Sequence, residues 1–229
     1  MDVLVTKIAK KIEALRQKID DVAKACGRDP TTIRLCAVTK YATTIETRAI
    51  AHALHKLGME VVLGESRVQD LLPKAAAMAG DDLDVRWDLI GTLQRNKARA
   101  VLRLVDRFQS IDRLAHETGL VARGQRVRGL LQVKLSDEES KRGFTPEELP
   151  RAIEAAQACA GVVIEGLMTM APFGTDNESA RPFFAQLATL RATLAPTCPD
   201  LSMGMSGDYE AAIAEGATIL RIGSALHGA

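Results

Sequence analysis

The sequence is poor in aromatic residues, and its charges almost cancel. Aromatic side chains make up 3% of the 229 residues, and 30 Lys and Arg face 29 Asp and Glu, which leaves a net charge of +1. Nucleic-acid binding commonly uses an overall positive field and stacking side chains, and this composition supplies neither. We therefore expect no nucleic-acid partner, and any anion site must be local.

Long apolar runs and paired cysteines are also missing. The four cysteines, Cys26, Cys36, Cys159 and Cys198, show no Cys-x-x-Cys pair and no metal-ligand spacing, which is typical of reduced thiols in a chain of this length. No apolar run approaches the ~18 residues of a membrane span, and residues 1–20 carry charges where a signal peptide needs an apolar stretch. We expect a cytoplasmic protein with no membrane partner and no bound metal.

Two kinds of segment alternate along the chain. Residues 3–25 have apolar side chains at three- and four-residue intervals, which predicts an amphipathic helix that ends at Gly27 and Pro30. Eight apolar runs of strand type follow, at 33–39, 59–64, 85–91, 107–111, 129–135, 163–170, 201–205 and 218–223. Helical candidates separate these runs, at 44–57, 66–79, 94–104, 112–123, 146–160, 179–194 and 207–215.

Repeated strand–helix units predict parallel strands, and eight such units can close into a barrel. The main rival is an open doubly wound sheet, but no GxGxxG motif follows the first strand. We predict an α/β fold: a single (β/α)8 TIM-type barrel with an extra N-terminal helix. One domain is expected over 1–229, with the helix in 1–27 and the barrel in 33–229. Only 224–229 follow the last strand, so the N-terminal helix is expected to take the place of a full closing helix.

Small polar residues follow the seventh and eighth predicted strands, where barrels commonly bind phosphate. Ser206 and Gly207 come at the predicted start of a helix, for which Ser206 suits the N-cap position. The eighth strand ends in Gly223 and Ser224, which offer close backbone approach and a hydroxyl donor. Taken alone, a Ser-Gly pair is an ordinary helix cap, but the two neighbouring loops together indicate a phosphate site.

Lys40 ends the first predicted strand, which adjoins the eighth when the barrel closes. Such a lysine is ordinarily a solvated surface charge. Beside this site, desolvation and Arg221 are expected to lower its pKa and to favour a Schiff base with an aldehyde. A lysine, a phosphate site and an aldehyde together suggest pyridoxal 5′-phosphate (PLP).

A resemblance to a known family rests on strings that occur in order from about residue 34 to the C-terminus. They are AVTK, LGESRVQD, WDLIGTLQRNKAR, QSID, KLSDEESKRGF, EGLMTMAPF and LSMGMSGDYEAAIAEGATILRIGSALHG. These strings resemble the signatures of the pyridoxal 5′-phosphate homeostasis protein family. The resemblance implies a barrel akin to the N-terminal domain of bacterial alanine racemase.

On the matching positions, the resemblance makes Lys40 the Schiff-base lysine. It implies that Ser206, Gly223 and Ser224 hold the phosphate, and that Arg221 lies near the pyridine nitrogen. A guanidinium cannot accept a proton, so it disfavours the protonated ring that stabilises carbanions. This agrees with a family regarded as carriers that buffer or deliver PLP rather than as enzymes.

The chain departs from the family pattern at two positions. The family usually has Gly-Glu-Asn-Tyr after the second strand, and this chain has Ser66 and Arg67 in place of the last two residues. Ser66 therefore replaces an amide expected near the cofactor, as a shorter candidate contact. The family usually reads Trp-His before Ile-Gly, and this chain has Asp88 after Trp87, to which we assign no role.

Three functions remain open: a PLP carrier, a racemase-like enzyme that uses the same lysine, and a barrel that binds partners without a cofactor. Two-base racemisation needs a second proton carrier, which related racemases take as a tyrosine from an added β-domain that is not expected here. The tyrosines of this chain are Tyr41 and Tyr209, and strand alternation predicts that Tyr41 points away from Lys40. We expect a monomeric carrier whose partners are PLP and PLP-dependent apo-enzymes.

Overall fold

Eight parallel strands form the centre of the molecule. The computed structural model describes residues 1–93, 97–113, 126–136, 138 and 142–227. The strands are β1 (Arg34–Val38), β2 (Val61–Glu65), β3 (Val85–Leu89), β4 (Val105–Ile111), β5 (Val127–Gln132), β6 (Val162–Met168), β7 (Asp200–Ser202) and β8 (Ile219–Ile222). All eight predicted strands are confirmed, with ends that differ from the prediction by a few residues.

The sheet closes on itself. Each strand pairs in parallel with the next, and β8 pairs with β1 from Arg34↔Ile219 to Ala37↔Ile222. The predicted (β/α)8 barrel is therefore confirmed, and the alternative of an open doubly wound sheet is wrong. Since all strands run the same way, their C-terminal ends meet at one end of the barrel, which we call the upper rim.

Helices surround the barrel. They are α1 (Asp2–Ala25), α2 (Thr44–Lys56), α3 (Val68–Met78), α4 (Ala98–Val101), α5 (Leu149–Gln157), α6 (Asn177–Leu194), α7 (Tyr209–Ala214) and α8 (Ser224–His227), with a short 3-10 helix at Pro30–Thr32. Most of the helix predicted at 112–123 lies outside the described residues, as do 94–96 of the helix predicted at 94–104. No helix within the described ranges has both the length and the apolar character of a membrane span.

The N-terminal helix α1 lies against the helices that flank β8 and β1 in the chain. It buries Ile8, Ile12 and Ile19, and it packs against α2, α7 and α8. The chain leaves α1 through Gly27, whose φ of +68° is the left-handed conformation predicted for the end of this helix. The extra N-terminal helix is thus confirmed, whereas the expectation of one domain over 1–229 stays a prediction.

Candidate functional site

A cavity of about 350 Å³ opens at the upper rim, where β7, β8, β1 and β2 end. Its volume lies within the range of small-molecule sites, about 300–1,000 Å³. All six residues predicted to contact a cofactor line it: Lys40, Ser66, Ser206, Arg221, Gly223 and Ser224. The remaining walls come from Val38, Tyr41, Ile90, Met170, Met205, Gly207 and His227. The predicted cofactor residues therefore share one cavity, and the role of each residue in binding stays a prediction.

The strand register explains why these residues meet. Ala37 of β1 is level with Ile222 of β8, and Val38 is level with Gly64 of β2. Lys40, Ser66 and Gly223 each follow the end of one of these strands by one or two residues. Parallel pairing consequently brings three segments that are distant in sequence to the same stretch of the upper rim.

Lys40 lies on an exposed turn after β1, and this differs from the sequence-based expectation in two ways. The predicted desolvation of the amine is wrong for this structure, because Lys40 is exposed. The predicted orientation of Tyr41 is also wrong: the Lys40 Nζ lies 4.9 Å from the centroid of the Tyr41 ring, and both residues line the cavity. The reason is that β1 ends at Val38, so strand alternation no longer determines where these two side chains point.

A buried ion pair supports the backbone just before this turn. The Lys74 Nζ, from α3, donates to Glu65 Oε1 at 2.6 Å and to the backbone oxygen of Thr39 at 2.7 Å. The Thr39 hydroxyl donates to the same Glu65 oxygen at 2.6 Å. Since Thr39 and Glu65 are fully buried, this cluster fixes the end of β1 against the end of β2. The sequence gives no signal for it, because a lysine within a helix is usually on the surface.

Ser206 lies on a turn before α7, not at the N-cap position, so its predicted capping role is wrong. The helix begins at Tyr209, and its N-cap residue is Asp208. Burial raises the pKa of the Asp208 carboxyl, which accepts a hydrogen bond from the Met205 backbone N–H at 2.5 Å. This bond closes the turn from which Ser206 and Gly207 face the cavity.

Backbone at the end of β8 approaches β1 closely. A Cβ added at Gly223 would lie 3.3 Å from both the Cβ and the backbone oxygen of Val38, closer than an ordinary contact. On α8, the His227 Nε2 lies 3.0 Å from the same Val38 oxygen. Sequence reasoning missed His227, although its position three residues after Ser224 puts the two on one helical face.

Arg221 is buried, with 4% of its surface exposed, and it begins a chain of hydrogen bonds through the barrel. Its Nη1 donates to Ser202 Oγ at 2.6 Å, and its Nη2 donates to the backbone oxygen of Thr169 at 2.8 Å. Ser202 Oγ donates to Gln109 Oε1 at 2.6 Å, and Gln109 Nε2 donates to Asp88 Oδ2 at 2.5 Å. We call Arg221, Ser202, Gln109 and Asp88 the interior chain.

The two ends of the interior chain are titratable groups with shifted pKa values. Burial lowers the pKa of Arg221 to about 10, so the guanidinium remains a cation at neutral pH. Burial raises the pKa of Asp88 to about 6, although Arg107 and the Gln109 hydrogen bond act in the opposite direction. Asp88, to which the sequence assigned no role, is therefore joined to the cavity.

Asparagine at position 88 removes this carboxyl and gives a testable change in stability. The pKa of Asp88 is about 6 in the folded chain and 3.8 for an ordinary aspartate. The folded state therefore binds the proton more tightly than the unfolded state, and this contribution to stability is full below pH 3.8 and is lost as the pH rises through 6. From pH 5 to pH 8, we expect the free energy of unfolding of Asp88→Asn to rise by about 1 kcal/mol relative to that of wild type. Urea denaturation measures both values.

The exposed Asp82 provides the matched control, since Asp82→Asn should keep a constant difference from wild type over the same pH range. An Asp88→Asn protein whose stability follows that of wild type at every pH would contradict the expected titration.

Comparisons with known proteins agree with the resemblance in the sequence. The family model described as alanine racemase, N-terminal domain, matches residues 11–229. The pyridoxal phosphate homeostasis protein of Pseudomonas aeruginosa is 39% identical to this chain over 228 residues, which cover 97% of this chain and 95% of that protein.

Solved structures match the whole barrel. PipY of Synechococcus elongatus, in a structure with PLP bound, has a TM-score of 0.80 and 32% identity, and the match covers 96% of this chain and 100% of that chain. Alanine racemase from Corynebacterium glutamicum has a TM-score of 0.70 and 14% identity, and the match covers 98% of this chain and 61% of the racemase. The likeness to the racemase, at this low identity, shows a shared fold alone.

Proposed function

Since the chain belongs to the family of the pyridoxal phosphate homeostasis proteins, we propose that it binds PLP through Lys40 and buffers or delivers it in the cell. One observation carries this proposal: a lysine amine, three serine hydroxyls and a buried arginine line the same cavity. These are the groups that an aldehyde, a phosphate and a pyridine nitrogen require.

The residues of the cavity fit PLP group by group. The exposed Lys40 amine can reach an incoming aldehyde, and when PLP is bound its aldehyde condenses reversibly with a lysine amine and releases one water. Ser206 and Ser224 offer hydroxyl donors to the phosphate, and the backbone of Gly207 borders open space, since a Cβ at this position would meet no atom within 4 Å. Ser66 is left as a candidate contact for the pyridine ring, and Arg221 for the pyridine nitrogen.

Arg221 favours a carrier over an enzyme. Both of its terminal nitrogens donate to oxygens of the protein, so the guanidinium is held in place as a hydrogen-bond donor and a cation. The guanidinium cannot accept a proton, and it keeps its own protons, so it does not stabilise a protonated ring nitrogen. An unprotonated pyridine ring is a weaker electron sink. This supports PLP storage or transfer rather than racemisation.

PLP-dependent apo-enzymes are the proposed recipients of the cofactor, and the carrier is proposed to act as a monomer. All four cysteines are free thiols, which suits the reducing cytoplasm.

Alanine at position 40 tests the covalent bond. Wild type loaded with PLP should absorb in the near-ultraviolet to visible range, and after borohydride reduction mass spectrometry should find PLP on Lys40. Lys40→Ala should lose both signals, because no amine replaces the missing one. Lys56→Ala, which removes an exposed lysine at the far end of α2, should retain them. A reduced PLP adduct on another residue of Lys40→Ala, formed as fully as in wild type, would contradict the assignment.

Alanine at position 206 or 224 tests the phosphate contacts. Each variant should bind PLP about tenfold more weakly, since each removes a hydrogen bond to a charged group. The dissociation constant of pyridoxal, which has no phosphate, should remain unchanged. Thr193→Ala, which removes an exposed hydroxyl on α6, is the control. Equal losses of affinity for PLP and pyridoxal would show that these serines do not contact the phosphate.

Incubation with L-alanine tests the carrier against the racemase-like alternative. PLP-loaded protein should form D-alanine no faster than free PLP does, which chiral chromatography measures. Turnover well above that of free PLP, lost in Lys40→Ala, would establish the enzyme instead.

A further inference from the structure

Asp88 is a buried carboxyl group that the binding of PLP, as proposed above, does not explain. It lies inside the barrel on β3 with 1% of its surface exposed, and burying a carboxylate is unfavourable unless other groups compensate. Gln109, at 2.5 Å, is its hydrogen-bond donor, and the Arg107 Nε lies 3.8 Å away.

The hydrogen bonds of the interior chain can run in one direction only. Because the guanidinium of Arg221 only donates, Ser202 Oγ must accept from it and turn its own hydrogen toward Gln109. Gln109 then accepts with its oxygen, which leaves its amide nitrogen to donate to Asp88. The chain thus begins at a cation that lines the cavity and ends at a carboxylate, which is an acceptor only.

This fixed direction makes the orientation of Arg221 depend on the far end of the chain. Without an acceptor at position 88, the amide of Gln109 can turn over, and Ser202 then loses the acceptor that directs its hydroxyl. We propose that Asp88 is a positioning residue that holds Arg221 for binding PLP by means of the interior chain. The proposal rests on PLP occupying the cavity.

Other titratable groups interact electrostatically with Asp88, from the adjacent strand β4 and from β1. Arg107 and Asp106 lie on β4, and Arg34 and Cys36 lie on β1. Burial raises the pKa of the Cys36 thiol, so Cys36 remains neutral between pH 5 and pH 8. Arg107 keeps Asp200 as a partner at 3.0 Å, so substitution of Asp88 does not leave it unpaired.

A double-mutant cycle with Ser202 tests the proposal through the dissociation constant of PLP. Asp88→Ala should weaken PLP binding about tenfold at pH 8, and Asp88→Asn, which keeps an acceptor oxygen, should weaken it only about threefold. In a Ser202→Ala background, Asp88→Ala should not change the dissociation constant further, because the hydrogen bonds of the interior chain are already interrupted at Ser202. Inorganic phosphate should bind all variants equally, since its proposed contacts lie outside the interior chain.

The pH dependence keeps the proposal testable if Asp88→Ala does not fold. The ratio of the dissociation constants of Asp88→Asn and wild type should be about one at pH 5, where the pKa of about 6 makes position 88 neutral in both proteins. The ratio should reach about three at pH 8, where position 88 carries a negative charge in wild type only. Asp82→Asn is the control.

Three results would overturn the positioning role: wild-type affinity in folded Asp88→Ala, an equal loss of affinity with and without Ser202, or a ratio that does not change with pH. Failure of wild type to bind PLP would overturn the proposed function itself. Binding through Lys40 that is indifferent to Asp88 would overturn this inference alone.

Discussion

The hydrogen bonding between β8 and β1 is the constraint on which the whole site depends. Arg34–Ala37 and Ile219–Ile222 are at opposite ends of the chain, and their pairing closes the barrel. This closure puts the turn that carries Lys40 beside Gly223 and Ser224, and α1 packs against the helices next to both strands. A cavity with these groups would not form in an open sheet in which the first and last strands do not pair.

The upper rim combines a buried base with an exposed lysine. The buried cluster of Thr39, Glu65 and Lys74 holds the end of β1, and His227 contacts Val38 from the other side. Lys40 itself extends from this support into solvent, next to the Tyr41 ring. Under the proposed function, this arrangement would suit a carrier, whose amine has to capture an aldehyde and also release it.

The interior of the barrel shows a compromise between stability and function. Its walls include apolar residues such as Val62, Leu130 and Ile219, yet hydrogen bonds cross it from Arg221 to Asp88. A well-packed apolar interior is often at least as stable as a buried charged one, so polarity alone does not explain these residues. Their common feature is that hydrogen bonds connect them to Arg221, the one guanidinium among the described residues of the cavity wall.

The sequence by itself determined the periodic elements, the barrel and five of the six cavity residues, because strand and helix periods and the ends of parallel strands follow local rules. Ser66 was indicated only by the resemblance to the family. Tertiary structure decided what local rules cannot express. It set the end of β1 at Val38, and thereby the exposure of Lys40 and the orientation of Tyr41. It also paired Lys74 with Glu65 and joined Asp88 to Arg221, since these contacts form only when strands and helices distant in sequence pack together.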